Sequence, residues 1–482
     1  MSAPALPIAA PRSVAREVLR LTGPAVLTSL LQTVVFLADR VMLGRYSETA
    51  LASMQISGPV LWSIYSVFFG SMIGAVALVA RSVGAGDHAR ASEIARTTLR
   101  LSIVVGLGVG LLGLFGAGLI ADVMAPAANP EISALARDYM AIFFLGFPAV
   151  YLGSAGSLVV NAGGDTRSTL RIGIVTNLVN LAINYLLIYG HELGSITIPA
   201  LGVRGAAIGS VLAYGIESVL ILRALRGPGG RGGWLTTISP LRVTNLLRLE
   251  LGELERATRR AIVRLSWPAF VERLVIHAGF LGFARIVTSL GATAMAANQA
   301  LITLESICFL TAEGFGVAAA TVVGQYLGRD DARGSSRGGW MAALACATTL
   351  GLLGLAIWAS GGWTLQVFVA EGQTGSAMIG LALATMPMLV ISQPFMAIAM
   401  VLGHGLRGAG DTRSPLLAAV IGGLFVRVTG ALVLARGLDL GLVGIWIATC
   451  CDWSVRTIIL ARVFARARWQ GIALDLDRPA AP

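Results

Sequence analysis

Apolar segments of membrane-spanning length follow one another along almost the whole 482-residue chain. A helix needs about 20 apolar residues to cross the hydrocarbon core of a bilayer. The run Leu21–Leu43 reaches that length and contains a single carboxylate. The chain is 56% hydrophobic and 13% charged, which is outside the range of soluble domains. Because lipid offers no hydrogen bonds to the backbone, such runs predict transmembrane helices. The expected fold is an all-α polytopic membrane protein.

The apolar runs divide into twelve predicted spans, six in each half of the chain. In the first half they cover residues 19–44, 54–80, 97–120, 136–160, 169–190 and 202–224. In the second half they cover residues 262–289, 296–323, 339–368, 379–405, 414–436 and 440–464. The predicted domains are an N-terminal tail (1–18), an N-lobe (19–224), a linker (225–261), a C-lobe (262–464) and a C-terminal tail (465–482).

The linker between the lobes has two parts of different composition. It opens with GPGGRGG at 227–233, which is too rich in glycine to hold regular structure. Further on, leucines recur near helical spacing among charged residues, at Leu246, Leu247, Leu251 and Leu254. This pattern predicts an amphipathic helix that lies on the inner membrane surface.

Several motifs of the first half return in the second half. Gly84-x-x-Asp87 returns 244 positions later as Gly328-x-x-Asp331, and GDTRS at 164–168 returns at 410–414. Repeats of six spans share one orientation, so the two six-helix bundles should be related by a pseudo-two-fold axis along the membrane normal. Many secondary transporters have this plan, with the binding site between the repeats and alternating access by rocking.

The distribution of arginine predicts the orientation in the membrane. All 36 basic residues are arginine, and the net charge is +11. Most of them fall in 81–100, 167–171, 223–264, 329–337, 407–413 and 456–478. The positive-inside rule then makes both termini cytoplasmic, in a multi-pass protein of the inner (plasma) membrane. This charge indicates contact with anionic membrane lipids rather than with nucleic acid.

Several classes of catalytic site are excluded by residue type. Without lysine the chain has neither a P-loop nor a Schiff-base residue. The histidines are scattered, without metal-ligand spacing, at His88, His191, His277 and His404. We therefore expect no enzyme activity, no metal centre and no cofactor beyond a coupling ion.

Asp39 is the carboxylate inside the first apolar run. A carboxylate within hydrocarbon is costly, so the favoured interpretation is a site that binds or relays a cation. The alternative is that Asp39 lies just outside the membrane and caps a loop with Arg40. Pro24, near the start of the same run, should kink the helix.

Four sequence patterns together resemble the multidrug and toxic compound extrusion (MATE) family. They are LADRVMLGR at 37–45, LGVRGAA at 201–207, GLRGAGDTR at 405–413 and the twin GDTRS loops. The resemblance covers about residues 18–466 and is greatest to the DNA-damage-inducible F branch. It implies an antiporter that exports amphipathic, often cationic organic compounds in exchange for inward H⁺ or Na⁺.

The resemblance also implies site residues. The family's coupling aspartate in helix one matches Asp39, and its polar pair in helix five matches Asn180 and Asn184. The family usually has Asp at the second of these positions, so the chain departs from the pattern at Asn184. With one carboxylate fewer, the site favours H⁺ as the coupling ion. Na⁺ held by Asp39, Asn180 and Asn184 remains the alternative.

Other polar residues in the spans are candidates for the substrate cavity. They are Gln32, Tyr139, Asn177, Glu272, Gln299 and Glu305. Glu272 and Glu305 have an alternative role as internal ion pairs with Arg273, Arg427 or His277, since buried charges need partners. Asp452 has Arg456 at i+4 and is predicted to pair with it. Glu217 is expected to face a loop.

Two other functions fit the sequence less well than an antiporter does. A flippase for a lipid-linked oligosaccharide, from the same superfamily, would need an arginine-lined cavity and extra helices. A non-transporting receptor fits poorly with an internal duplication of six spans. The expected partners are a small organic substrate and membrane lipids, and a monomer is sufficient.

Overall fold

The computed structural model describes residues 13–124, 130–193, 196–226, 240–246, 253–368 and 375–474. The helices of the first half are α1 (Val14–Tyr46), α2 (Glu48–Phe69), α3 (Gly74–Gly84), α4 (His88–Met124), α5 (Pro130–Ala162), α6 (Thr166–Tyr189) and α7 (Val203–Leu225). The 3₁₀ turn Gly70–Met72 lies between α2 and α3. An antiparallel hairpin of β1 (His191–Leu193) and β2 (Ile196–Ile198) follows α6.

The second half begins with α8 and repeats the helical plan. Its helices are α8 (Glu253–Thr288), α9 (Ala292–Gly328), α10 (Ala332–Ala359), α11 (Gly361–Thr364), α12 (Ser376–Gly408), α13 (Arg413–Ala418), α14 (Arg427–Leu432) and α15 (Gly441–Ala465). Two π-helical segments, Ala419–Val426 and Val433–Gly437, make Arg413–Gly437 one continuous span with α13 and α14. The 3₁₀ turns Leu365–Phe368 and Arg468–Gly471 complete the half.

The predicted twelve-helix plan is confirmed. Ten helices of the described chain are long and apolar enough to cross a membrane. An eleventh span is the pair formed by Glu48–Met72 and Gly74–Gly84, which bends by 41° at its break. The remaining predicted span, 262–289, corresponds to most of α8, a 36-residue helix that is not among those passing this test of length and composition.

The three largest differences between the helix ends and the predicted spans are of nine residues each. The third span begins at His88 rather than at 97, and the ninth ends at Ala359, where α10 gives way to the short helix α11. The seventh begins at Glu253, because nothing in ELERATRR interrupts a helix before the apolar residues. The end of the linker thus continues into α8, and most of its predicted amphipathic helix lies outside the described residues.

Two hydrophobic cores correspond to the two bundles, and each core includes residues from the other half of the chain. Val18 and Leu21 of α1 are buried in the core of the second bundle. Ile262 of α8, 244 positions after Val18, is buried in the core of the first bundle. The first turns of the two repeats are therefore exchanged across the pseudo-two-fold axis.

The polar contacts that bridge the two bundles lie toward the arginine-rich end. Gln325 Nε2 donates to the Ala162 carbonyl (3.1 Å), and Arg81 Nη2 donates to the Ala409 carbonyl (2.8 Å). Arg329 pairs with Glu17 at 3.3 Å. Within the described ranges, no hydrogen bond or ion pair joins the bundles at the opposite end. The structure is therefore closed at its arginine-rich end.

Candidate cation-binding and substrate site

Three helices bring Asp39 together with three other polar residues. Asn184 Nδ2 of α6 donates to Asp39 Oδ1 of α1 at 2.7 Å. The same nitrogen lies 3.3 Å from Asn180 Oδ1, one turn earlier on α6. Asn180 Nδ2 in turn donates to Ser210 Oγ of α7 at 3.5 Å. We call Asp39, Asn180, Asn184 and Ser210 the Asp39 cluster.

The Asp39 cluster is shielded from solvent, but its carboxylate is not sealed off. Asn184 is 0% exposed and Asn180 5%, whereas Asp39 is partly accessible. Asn184 Oδ1 faces the Cα of Gly209, where a side chain would overlap it, and accepts no hydrogen bond in the described chain. The atoms of the cluster that can accept a proton or bind a cation are therefore all oxygens. Such a donor set suits a proton or a hard cation.

The loop-capping alternative for Asp39 does not fit the structure. The α1 helix continues beyond it to Tyr46, so Asp39 lies inside the helix rather than at its end. The guanidinium of Arg40 stacks on the ring of Phe36 at 4.1 Å and makes no ion pair with Asp39 in the residues described. The carboxylate thus has an amide partner and no internal cation. The helix also runs without interruption through Pro24.

Some of the predicted cavity residues lie near the Asp39 cluster, and others do not. Tyr139 of α5 is buried and lies near Ser210, beside the cluster. Asn177 is half-buried on α6, one turn before Asn180. Gln32 and Gln299 are exposed, and their side chains make no hydrogen bond in the described structure. The structure does not bring these two glutamines to the Asp39 cluster.

Glu272 is an internal ion-pair residue with an unforeseen partner. It is 5% exposed and pairs with Arg407 of α12, itself 7% exposed. The predicted partners Arg273, Arg427 and His277 were therefore wrong for Glu272. Its carboxylate is therefore paired within the second bundle, whether or not it also lines the cavity.

The other C-lobe carboxylates are also near positive charge. The predicted pair of Asp452 with Arg456 is confirmed at 2.6 Å, and Arg427 adds a second bond at 2.8 Å. Glu313 contacts His404 Nε2 at 3.2 Å and Arg273 at 3.9 Å. Glu305 makes no hydrogen bond in the part of the chain described, and Arg427 is its principal positive neighbour. Its side chain is half-buried.

Glu217 was missed by the sequence prediction. It was expected to face a loop, but it lies within the first bundle and accepts a hydrogen bond from Ser157 Oγ at 3.0 Å. The sequence contains a signal for this depth. Glu217 precedes Arg223, the first arginine of the following connection, by nearly two helical turns, which places it inside the predicted span. Ser210 was missed too, because a serine in an apolar run carries little signal.

A family model described as MatE matches residues 24–186 and 268–432, one segment in each half. The chain is 27% identical to "Probable multidrug resistance protein NorM" of Thermotoga maritima, over 94% of this chain and 93% of the relative. It is also 27% identical to "Multidrug resistance protein PmpM" of Pseudomonas aeruginosa, over 97% of this chain and 96% of the relative.

Solved structures share the fold. One is an outward-facing multidrug resistance MATE family transporter of the MOP superfamily, with a TM-score of 0.82 and 18% identity over 95% of this chain and 97% of that one. Another is a MOP superfamily transporter from Pyrococcus furiosus, with a TM-score of 0.81 and 19% identity over 96% of this chain and 98% of that one. The family match to both halves, together with this shared fold, shows that the chain belongs to the MatE family of multi-pass membrane transporters and is not an enzyme.

Proposed function

We propose that the protein is a secondary antiporter that exports amphipathic, cationic organic compounds in exchange for inward H⁺. It works as a monomer in the inner (plasma) membrane, with both termini cytoplasmic. The relatives are named as multidrug resistance proteins, which supports the export of drug-like organic compounds. Within the family we place the chain nearest the DNA-damage-inducible F branch, since its coupling carboxylate is in the first helix and span ten carries none.

The observation that carries the proposal is the environment of Asp39. Its carboxylate is bonded to the amide of Asn184 and has no cationic partner in the described chain. An unpaired carboxylate in a membrane span is expensive to maintain. A coupling ion that binds and leaves on each cycle supplies the missing charge.

The composition of the Asp39 cluster favours a proton over Na⁺. Asp39 is its only carboxylate, since the other side chains are two amides and a hydroxyl. One proton neutralises this site completely, whereas Na⁺ would depend on neutral oxygens for most of its ligands. Na⁺ remains the alternative because amide and hydroxyl oxygens can bind it.

Alternating access follows from the change of charge at Asp39. The bundles are held together at the arginine-rich end, which corresponds to an outward-facing state when that end is cytoplasmic. A proton that enters from outside removes the charge on Asp39. The first helix then bends at Pro24, the N-lobe cavity closes and the bound compound is released. A ligand shifts this equilibrium only by its different affinity for the two states.

The flippase alternative would need unpaired arginines in the cavity. Arg407, Arg427 and Arg456 of the second bundle each pair with a carboxylate, which does not favour it.

The test is ethidium transport in proteoliposomes under an imposed pH gradient and, separately, an imposed Na⁺ gradient. We expect transport driven by the pH gradient, and loss of coupling in Asp39→Asn. Glu48→Gln is the matched control, because Glu48 is an exposed carboxylate at the start of α2, outside the Asp39 cluster. Transport driven only by Na⁺ would replace H⁺ as the coupling ion. Unchanged coupling in Asp39→Asn would overturn the mechanism.

A further inference from the structure

The carboxylates inside the two bundles differ in how their charge is balanced. In the second bundle Glu272, Glu313 and Asp452 each contact arginine or histidine. Glu305, which makes no ion pair in the described chain, has Arg427 as its positive neighbour. In the first bundle Asp39 and Glu217 have only amide or hydroxyl partners. No cationic side chain of the described residues pairs with either one. The first bundle therefore contains two carboxyl groups that are available to pair with a cation from outside the chain.

Glu217 lies apart from the Asp39 cluster but on the same face of α7. It follows Ser210 by seven residues, which places it two turns and about 10 Å along the helix. Its carboxyl carbon packs over Gly153 of α5, at 3.6 Å from the place where a Cβ would stand. The side chain remains partly accessible between α5 and α7. There is thus a second carboxylate site, separate from the coupling site.

Two tyrosines lie near this second site. Tyr214 follows Ser210 by four residues and precedes Glu217 by three, so it lies between the Asp39 cluster and Glu217 on one face of α7. Tyr65 Oη of α2 donates to Ser154 Oγ of α5 at 3.1 Å, within one turn of the serine that donates to Glu217. The second site therefore lies where α2, α5 and α7 meet.

We propose that Glu217 binds the cationic group of the exported compound, in a pocket lined by the rings of Tyr65 and Tyr214. The inference rests on the proposed function, and it assigns substrate recognition and ion coupling to different carboxylates. A carboxylate supplies the opposite charge, and aromatic faces attract organic cations through their quadrupole. Asp39 keeps the coupling role and need not contact the compound.

A purely structural role for Glu217 makes a different prediction. Its hydrogen bond from Ser157 joins α5 to α7, and a glutamine can accept the same bond. Glu217→Gln therefore keeps the structural contact and removes only the charge. Ser157→Ala does the reverse, since it removes the donor and keeps the carboxylate.

The experiment is equilibrium binding of tetraphenylphosphonium, a permanent cation, and of Nile red, a neutral dye, to the purified full-length protein in detergent. We expect Glu217→Gln to weaken tetraphenylphosphonium binding by about tenfold or more. Nile red binding should stay unchanged, and Ser157→Ala should retain cation binding. Glu48→Gln, an exposed charge change, is the matched control.

Each other outcome overturns the inference. Equal cation binding in Glu217→Gln and the unmutated protein would leave Glu217 a structural residue, without affecting the proposed antiport. Equal weakening of both probes would show that the effect of Glu217→Gln does not depend on the probe's positive charge, which overturns the cation site. An unmutated protein that exports under a pH gradient but binds no tetraphenylphosphonium would retain the antiport and refute the cation site. Absence of export altogether would refute the proposed function itself.

Discussion

Gly84 of α3 lies directly against the backbone of Gln325 in α9, and Gly328 of α9 lies in the same way against the backbone of Arg81 in α3. Each residue is 244 positions from its counterpart, so these are two copies of one contact related by the pseudo-two-fold axis. A side chain at either glycine would overlap main-chain atoms. The two bundles therefore meet at the arginine-rich end as closely as two helix backbones allow.

Gly84→Ala should weaken this closed end. The added methyl group has no space, and overpacking of this kind costs about 1–3 kcal/mol. We expect spin labels at His88 and Arg333, in a cysteine-free background, to move apart in double electron–electron resonance. Gly108→Ala is the control, because a Cβ at Gly108 meets no atom within 4 Å. An unchanged distance distribution in Gly84→Ala would show that the glycine contact does not hold the bundles together.

Arg407→Ala should strongly destabilise the second bundle. It leaves Glu272 buried without its partner, and removal of one member of a buried pair costs about 3–5 kcal/mol. Thermal unfolding in detergent measures this loss. The double variant Glu272→Gln with Arg407→Met removes both charges and should recover most of the stability. If the double variant is no more stable than Arg407→Ala, the loss comes from packing rather than from the stranded charge.

Asn184→Asp should change the ion dependence of transport. It places a second carboxylate within the Asp39 cluster, where the doubled negative charge favours a bound Na⁺ over a single proton. We expect Na⁺-stimulated transport and measurable ²²Na⁺ binding in this variant. Asn177→Asp adds the same charge two turns earlier on α6, without a bond to Asp39, and should not have this effect. Equal ²²Na⁺ binding in the two variants would contradict a specific role for the cluster.

Asp165→Ala should cost more stability than Asp411→Ala, although the two loops have the same sequence. Each aspartate accepts hydrogen bonds from the backbone and hydroxyl of a serine three residues later. Loss of an N-cap costs about 0.5–2 kcal/mol. Asp165 is 0% exposed, whereas Asp411 is partly accessible, so its loss should be nearer the upper value. Asp165→Asn should be much milder, and unfolding midpoints that rank otherwise would reject the cap as the cause.

The fold was predictable because its signals are local. Span length, apolar composition and the repeat at 244 positions can all be read along the chain, and they predicted the twelve helices. The contact of Asn184 with Asn180 also follows from local spacing, since residues four apart share one helix face.

The ion pairs were not predictable in the same way. Glu272 is 135 positions from Arg407, and their contact depends on how α8 lies against α12. For Glu217 the error concerned depth in the membrane. Glu217 is seven residues before the predicted end of the sixth span at 224, and that end was expected to face a loop. A carboxylate's distance from the nearest loop arginine is the better guide to whether it lies in the membrane.

The exchanged first turns of α1 and α8 have a consequence for biosynthesis. Val18 and Leu21 need the core of the second bundle, which is completed only when the chain has been synthesised through α15. At about 5–20 residues per second, α1 must wait roughly 20–90 s for that partner. During this interval its first turns have no permanent neighbour. Truncation between the bundles should thus give two fragments that associate rather than two independent domains.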